Sequence, residues 1–332
     1  TCHFEPAGRL HRLPPESHQQ TFNLGKEKSM SNKDWFKNAE FGMMVHWGLY
    51  SLPAGEWQGQ RMPFIGEWSQ SYFRIPNDQY STLASIFNPI LFDAESWVKL
   101  AIDAGMQYLV VTSKHHDGFA MYHSRVDSFN ICDSSPFGRD PVTELAEACQ
   151  KHGLKLGLYY SQDLDWHEPN GGGYTEGHTN VGGMSWTNDW DFPDKDKKDY
   201  TQCFKDKIKP QVEELLQNYG ELCLIWFDTP LTISSEQSTE LFHLVKKYQP
   251  DCLVNTRIGN GLGDYRSMGD NEIPDQFMDQ GELAESPATL NDTWGYKAFD
   301  QNWKPPEEVT YVKEHQGGGP CADLPEWAGA VH

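Results

Sequence analysis

The sequence predicts an α/β fold, a distorted (β/α)8-like TIM barrel, and three observations carry that reading. Apolar runs of strand length recur along the chain with helical patterns between them. Those runs end in polar side chains rather than in glycine-rich turns. Neither a G-x-G-x-x-G nor a P-loop is present, which argues against a doubly wound nucleotide fold.

Taken in chain order, residues 1–25 are polar, with scattered His and Pro and no periodicity, and read as a flexible tail. The barrel is expected over 26–313. Its first strand is Phe41–Trp47. A helix follows with Asp93 as N-cap, an apolar stripe of Trp97, Leu100, Ala101 and Ala104, and Gly105 as its stop. The second strand is Tyr108–Ser113. The next helix has Asp140 as N-cap, Pro141 at its first position, apolar Leu145, Ala146, Ala148 and Cys149, and Gly153 as its stop. The third strand is Lys155–Ser161. A long polar insertion, about 163–198, then leaves the strand ends and is expected to form a lid or a subsite wall. Helical patterns over 199–219 and 235–248 flank a fourth strand, Leu222–Phe227, and the fifth is Cys252–Arg257. Strand, helix, strand at this spacing means parallel βαβ units. After about Val312 no strand pattern follows. The last strand of the barrel is unaccounted for, and 314–332 read as an atypical tail that leaves strand edges unpaired.

Composition sets the outer limits. A chain of 332 residues buries a large core, and a formal net charge of -21 repels phosphate backbones and anionic membranes. Nucleic acid and membrane are therefore not expected as partners, whereas homo-oligomer formation is left open. The 12 Trp suit either a core of large side chains or the stacking of sugar rings on indole faces. Seven Cys at wide spacing, without C-x-x-C, argue against a disulfide framework and against a cysteine zinc site. With no long apolar run the chain is expected to be soluble; its compartment is not encoded.

The most informative segment is Leu222-Cys223-Leu224-Ile225-Trp226-Phe227-Asp228-Thr229-Pro230. Alternation sends Leu222, Leu224, Trp226 and Asp228 to one face, so an indole and an acid point together at a strand's C-terminal end. In parallel barrels that end carries the active site. Asp before a Pro-containing turn is also ordinary turn chemistry, so the other strand ends matter. These are Val45-His46-Trp47, Lys114-His115-His116-Asp117, Tyr159-Tyr160-Ser161 and Asn255-Thr256-Arg257, with Gly66-Glu67-Trp68 adding an acid beside an indole. Closed into a ring, they suit a neutral, hydroxyl-rich ligand. Metal binding by His46, His115 and His116 is the competing reading. Without H-x-H or H-E-x-x-H it is the weaker one, and no metal or cofactor is expected.

The series His46-Trp47-Gly48, Gly66-Glu67-Trp68, Lys114-His115-His116-Asp117-Gly118-Phe119, Tyr159-Tyr160-Ser161, Trp226-Phe227-Asp228 and Asn291-Asp292-Thr293-Trp294-Gly295-Tyr296 resembles the motifs of α-L-fucosidases of glycoside hydrolase family 29, in that family's order, over about 35–305. The resemblance implies a distorted (β/α) barrel and exo-removal of terminal α-L-fucose from fucosylated oligosaccharides or glycoconjugates with retention. It implies Asp228 as nucleophile. It implies His46, Glu67, Trp68, His115, His116, Tyr160, Trp226 and Arg257 as fucose-binding residues, Tyr160 being preferred to Tyr159 because it shares a face with Leu156 and Leu158. For the acid/base, Glu272 matches one branch of the family. Glu285 matches a Trp-Glu motif of the other, with Ala284 standing where that motif has Trp; Glu272 is preferred. A fucose-binding barrel without catalysis, and a barrel hydrolase acting on another glycoside, are the alternatives.

Overall fold

The expected strands form in the expected order and lie parallel in one sheet: β1 (Gly42–Val45), β2 (Tyr108–Lys114), β3 (Lys155–Tyr160), β4 (Leu224–Phe227) and β5 (Leu253–Val254). The structure is a computed structural model that describes residues 32–39, 41–174, 184–272, 283–305, 307 and 330–331. The expected N-terminal tail and most of the C-terminal one lie outside the described residues.

Two short strands extend the sheet to seven, β6 (Pro287–Ala288) and β7 (Ala330–Val331), in the order β6-β7-β1-β2-β3-β4-β5. This corrects the expectation of a missing last strand. Residues 330–331, inside the segment read as an atypical tail, pair in parallel with β1 (Met43 with Val331) and with β6 (Pro287 with Ala330). A two-residue Ala-Val strand is too short to leave a period in the sequence. The outermost strands, β5 and β6, do not pair with each other among the described residues. An irregular run bridges them. Tyr265 bridges to Asn255 just past β5, Arg266–Ser267 pairs with Ala284–Glu285, and Asn271 N–H donates to Pro287 C=O. The ring is therefore distorted on this side and regular through β1–β4.

The two faces of each strand go to different cores. Register sets Met44 beside Val110, Val110 beside Gly157, and Gly157 beside Leu224. These residues look into the ring with Tyr108, Tyr159, Trp226 and Leu253. Gly157 is required here, since a Cβ would come within 2.8 Å of the Leu224 side chain. Leu109, Val111, Leu156, Leu158, Tyr160, Ile225 and Phe227 look outward into the larger core beneath the helices. The helix α1 (Asn32–Asn38) buries Trp35 and Phe36 against Tyr108, the first residue of β2, and so packs at the strands' N-terminal ends.

The helices start where their caps direct. In α2 (Ala94–Asp103) the Asp93 carboxylate accepts the Glu95 N–H, and in α3 (Pro141–His152) that of Asp140 accepts both Val142 and Thr143 N–H at 3.0 Å. The buried stripe of α2 is Ala94, Val98 and Ala101; Leu100, expected on it, is exposed. Gly153 ends α3 at φ 74°, a left-handed cap. The long helical pattern before β4 is Tyr200–Cys203, a widened π turn at Phe204–Ile208, then α4 (Lys209–Asn218). The wide turn sits just before Pro210, whose ring cannot follow a tight ladder. A capping box of Ser234 and Gln237 starts α5 (Ser235–Tyr248). Among the described residues Cys132, Cys149, Cys203, Cys223 and Cys252 are free thiols, and no helix is long and apolar enough to cross a membrane.

Candidate active site

The strands' C-terminal ends open on a cavity of about 430 Å³, within the size range of small-molecule sites. Its wall includes His46, Glu67, Trp68, His115, His116, Trp226, Asp228 and Arg257. Eight residues from six chain segments, all expected on sequence grounds, thus meet in one place. His115 and His116 both reach it because β2 ends at Lys114, after a register shift, and the chain turns with Gly118 N–H donating to His115 C=O.

Asp228 is the most tightly held of the group. It follows the last residue of β4, where ladder bonds stop, and Gln162 Oε1 accepts its backbone N–H at 2.8 Å. Tyr159 Oη donates to Oδ2 at 2.8 Å, and Arg257 Nη1 donates to Oδ1 at 3.2 Å. Thr229, held in the left-handed region at φ 48°, donates its N–H to Oδ1 at 2.9 Å. Arg257 lies in the turn after β5, with its guanidinium 4.6 Å from the Trp226 ring centroid. Its other arm donates to Met268 C=O at 2.8 Å and to Asp270 Oδ1 at 2.5 Å. Burial works against its charge, but Asp228 and Asp270 hold it above the ordinary arginine range.

The imidazoles are neutral donors and acceptors, not cations. Burial drives His46 and His116 down to about 3, and the charge of neighbouring groups adds to this. Burial likewise lowers His115 well below its usual value. The 3.7 Å approach of His116 Nε2 to Asp228 Oδ2 is therefore a polar contact and not an ion pair. Ser161 Oγ donates to Leu164 C=O at 2.8 Å, so at 2.7 Å it accepts from His116 Nδ1. That assignment leaves Nε2 as an acceptor turned to the cavity, suited to a ligand hydroxyl. Burial also raises Glu67 to about 8, although Gly295 N–H, donating to its Oε2 at 2.6 Å, works the other way. At neutral pH Glu67 is a carboxylic acid that can donate as well as accept.

Three expected residues lie elsewhere. Tyr160 is fully buried beneath the helices and donates to Gln211 Oε1 at 2.8 Å. Tyr159 lines the cavity in its place. Sharing a face with Leu156 and Leu158 is what sends Tyr160 outward, because those leucines pack under helices. Glu272 is exposed and off the cavity wall. Glu285 is buried behind Trp226, whose Nε1 donates to it, and burial raises its carboxyl to about 7.

The carboxyl that does line the wall beside Asp228 is Asp270, two positions before Glu272. Its side chain is 47% exposed. Desolvation raises its pKa, Arg257 opposes, and Asp228 adds to the rise, all moderated by that solvent access. Sequence reasoning passed over it because nothing periodic separates neighbours in Gly269-Asp270-Asn271-Glu272. Trp294 and the insertion's Met184 and Trp186 complete the wall, and Trp186 meets Trp68 edge-on at 5.0 Å. Residues 175–183 of the insertion lie outside the described residues. Among the described residues no group of three or more His, Cys, Asp or Glu is placed to hold a metal ion.

The amino-acid sequence matches the α-L-fucosidase family model over residues 12–312. It is 38% identical over 143 residues to the tissue α-L-fucosidase of Mus musculus, covering 41% of this chain and 31% of that one. Against the plasma α-L-fucosidase of Homo sapiens it is 33% identical over 144 residues, 41% of this chain and 30% of that one. The chain thus spans under a third of the length of these curated relatives. Among solved structures it resembles the α-L-fucosidase AlfC from Lactobacillus casei in complex with α-L-fucose, at 55% identity and a TM-score of 0.81, over 86% of this chain and 87% of that one. A variant of AlfC, 54% identical with a TM-score of 0.81 over the same shares, 86% and 87%, is solved in complex with Fucα(1,6)GlcNAc.

Proposed function

The chain belongs to the α-L-fucosidase family, and from that premise we propose that it hydrolyses terminal α-L-fucosides with retention. The observation that carries this reading is the setting of Asp228. A carboxylate at a strand's C-terminal end receives one donor on each oxygen, from Arg257 and Tyr159, inside a cavity walled by neutral imidazoles and indoles.

In the proposed reaction fucose occupies the cavity. Its hydroxyls meet His46, His115, His116 and the protonated Glu67. Its ring face and methyl group lie against Trp68 and Trp226. Asp228 attacks the anomeric carbon, and a second carboxyl protonates the departing oxygen. Water then releases α-L-fucose with that second carboxyl acting as base. We assign the second role to Asp270 in preference to Glu272 or Glu285. Asp270 is on the wall, and Arg257 links it to the nucleophile. Its raised pKa favours the protonated form, as an acid requires. Half-exposure gives it the access to water that the second step needs. AlfC suggests a class of substrate, fucose on GlcNAc, which we carry to this chain as part of the proposal.

The test is hydrolysis of an aryl α-L-fucoside by the purified chain, followed by proton NMR. Release of α-L-fucose as the first anomer is expected. Release of the β anomer contradicts retention, and binding of fucose without turnover leaves a binding protein instead.

A further inference from the structure

The residues around the cavity are themselves held by a tripeptide behind it, Ser161-Gln162-Asp163, which follows β3 and is fully buried. Ser161 sets the orientation of His116 through Nδ1. Asp163 Oδ2 accepts three successive backbone N–H groups, from Leu231 (2.9 Å), Thr232 (2.6 Å) and Ile233 (2.8 Å). It thereby anchors the loop that leaves Asp228 through the left-handed Thr229. Gln162 sits between them. Its Oε1 accepts the backbone N–H of Asp228 at 2.8 Å, and its Nε2 donates to the backbone C=O of Arg257 at 2.9 Å. The amide is itself located from behind, with Tyr200 Oη donating to Gln162 C=O at 2.8 Å.

We infer that Gln162 is a positioning residue, whose amide clamps the backbone of Asp228 to that of Arg257 and so fixes the carboxylate against the guanidinium. Two features make a clamp necessary. Regular pairing of β4 with β5 ends at Ile225 and Val254, short of both Asp228 and Arg257. Arg257 in turn holds Asp270, so an error in its place reaches both carboxyls. An amide is the one side-chain group that supplies an acceptor to one backbone and a donor to the next from a single planar unit. Glutamate lacks the donor and methionine lacks both. The inference rests on the fucosidase reading above.

The experiment compares the whole chain with Gln162→Met, Gln162→Glu and a control, Gln211→Met. Gln211 is an equally buried amide that accepts from Tyr160 Oη and donates to Ser124 Oγ, away from the cavity. Each protein is assayed for kcat and KM on an aryl α-L-fucoside, for inhibition by fucose, and for Tm. Gln162→Met is expected to lose roughly 10- to 100-fold in kcat, the scale of a misplacement of about 1 Å. Gln162→Glu, which keeps the acceptor for Asp228, is expected to lose less. The fucose inhibition constant is expected to move by under about threefold, since the lost interaction matters in the transition state and not in ground-state binding. Gln211→Met is expected to lower Tm and leave kcat unchanged. Wild-type kcat in both folded Gln162 variants overturns the inference, as does an equal loss of kcat in the Gln211 control or a loss of fucose binding as large as the loss of kcat. If Gln162→Met does not fold, Gln162→Glu decides by the same criteria; if neither folds, Gln162 is a stability residue and the inference fails. A wild-type chain inactive on the fucoside overturns the fucosidase reading and this inference with it.

Discussion

Asp228 and Asp270 lie on the wall of the same cavity and are held in opposite ways. Asp228 ends a regular, fully buried strand, is 8% exposed, and is fixed through its backbone and through both carboxylate oxygens. Asp270 sits in the irregular run that bridges β5 to β6, with a side chain 47% exposed and Arg257 as its ionic partner. The difference matches two chemical tasks. A nucleophile must sit still and stay aligned, so donors converge on it from rigid elements. An acid that becomes a base must pass its proton out and take one from water, so it needs solvent access and a less rigid setting.

The largest expected effect tests the rigid side. Asp228→Ala is expected to lower kcat by roughly 10⁴-fold or more, with an unchanged Tm. With azide it is expected to form β-L-fucosyl azide, seen by NMR; α-L-fucosyl azide breaks the assignment. The open side comes next. Asp270→Ala is expected to lose about 10²- to 10⁴-fold on substrates with poor leaving groups and much less on activated aryl fucosides. Glu272→Ala is expected to behave as wild type on both; the reverse pattern moves the acid to Glu272.

Within β3 the same contrast can be sharpened with one atom. Tyr159→Phe removes the donor to Asp228 and is expected to lower kcat by about tenfold, the worth of about one hydrogen bond. Tyr160→Phe removes the bond to Gln211 and is expected to cost about 1 kcal/mol of stability without changing kcat. Denaturant melts and steady-state rates separate the two.

The smallest expected effect is on stability against pH. Glu67 is raised to about 8 by burial, so the folded state binds a proton that the unfolded chain releases near the ordinary glutamate value. Its contribution is fully present below that ordinary value and is lost as pH rises toward 8. Glu67→Gln is expected to flatten the fall in Tm between pH 5 and pH 8. An identical slope in both proteins contradicts a buried, protonated Glu67.

How much of this was legible in the sequence follows the same divide. Through β1–β4 the signals are strong. Apolar strands, Asp N-caps and the left-handed Gly153 fix the elements, and His46, His115, His116, Trp226 and Asp228 fall where strand ends place them. The parity of β3 was harder to read, because Tyr159 and Tyr160 are chemically alike. The signal was Gly157, which marks the crowded inward row two residues before Tyr159. In the irregular run the pairings involve two residues at a time, so neither β6 nor β7 leaves a pattern, and Asp270 is set apart from Glu272 only by a tertiary contact to Arg257. Gln162 is invisible for a related reason, since its bonds are to backbone atoms far along the chain.

The most direct test of the account is covalent. Incubation with 2-deoxy-2-fluoro-α-L-fucosyl fluoride slows release of the glycosyl-enzyme, and proteolysis with mass spectrometry locates the label. The account predicts one fluorofucosyl group on the peptide carrying Asp228, at that residue. A label on Asp270, Glu272, Glu285 or any other carboxyl contradicts it.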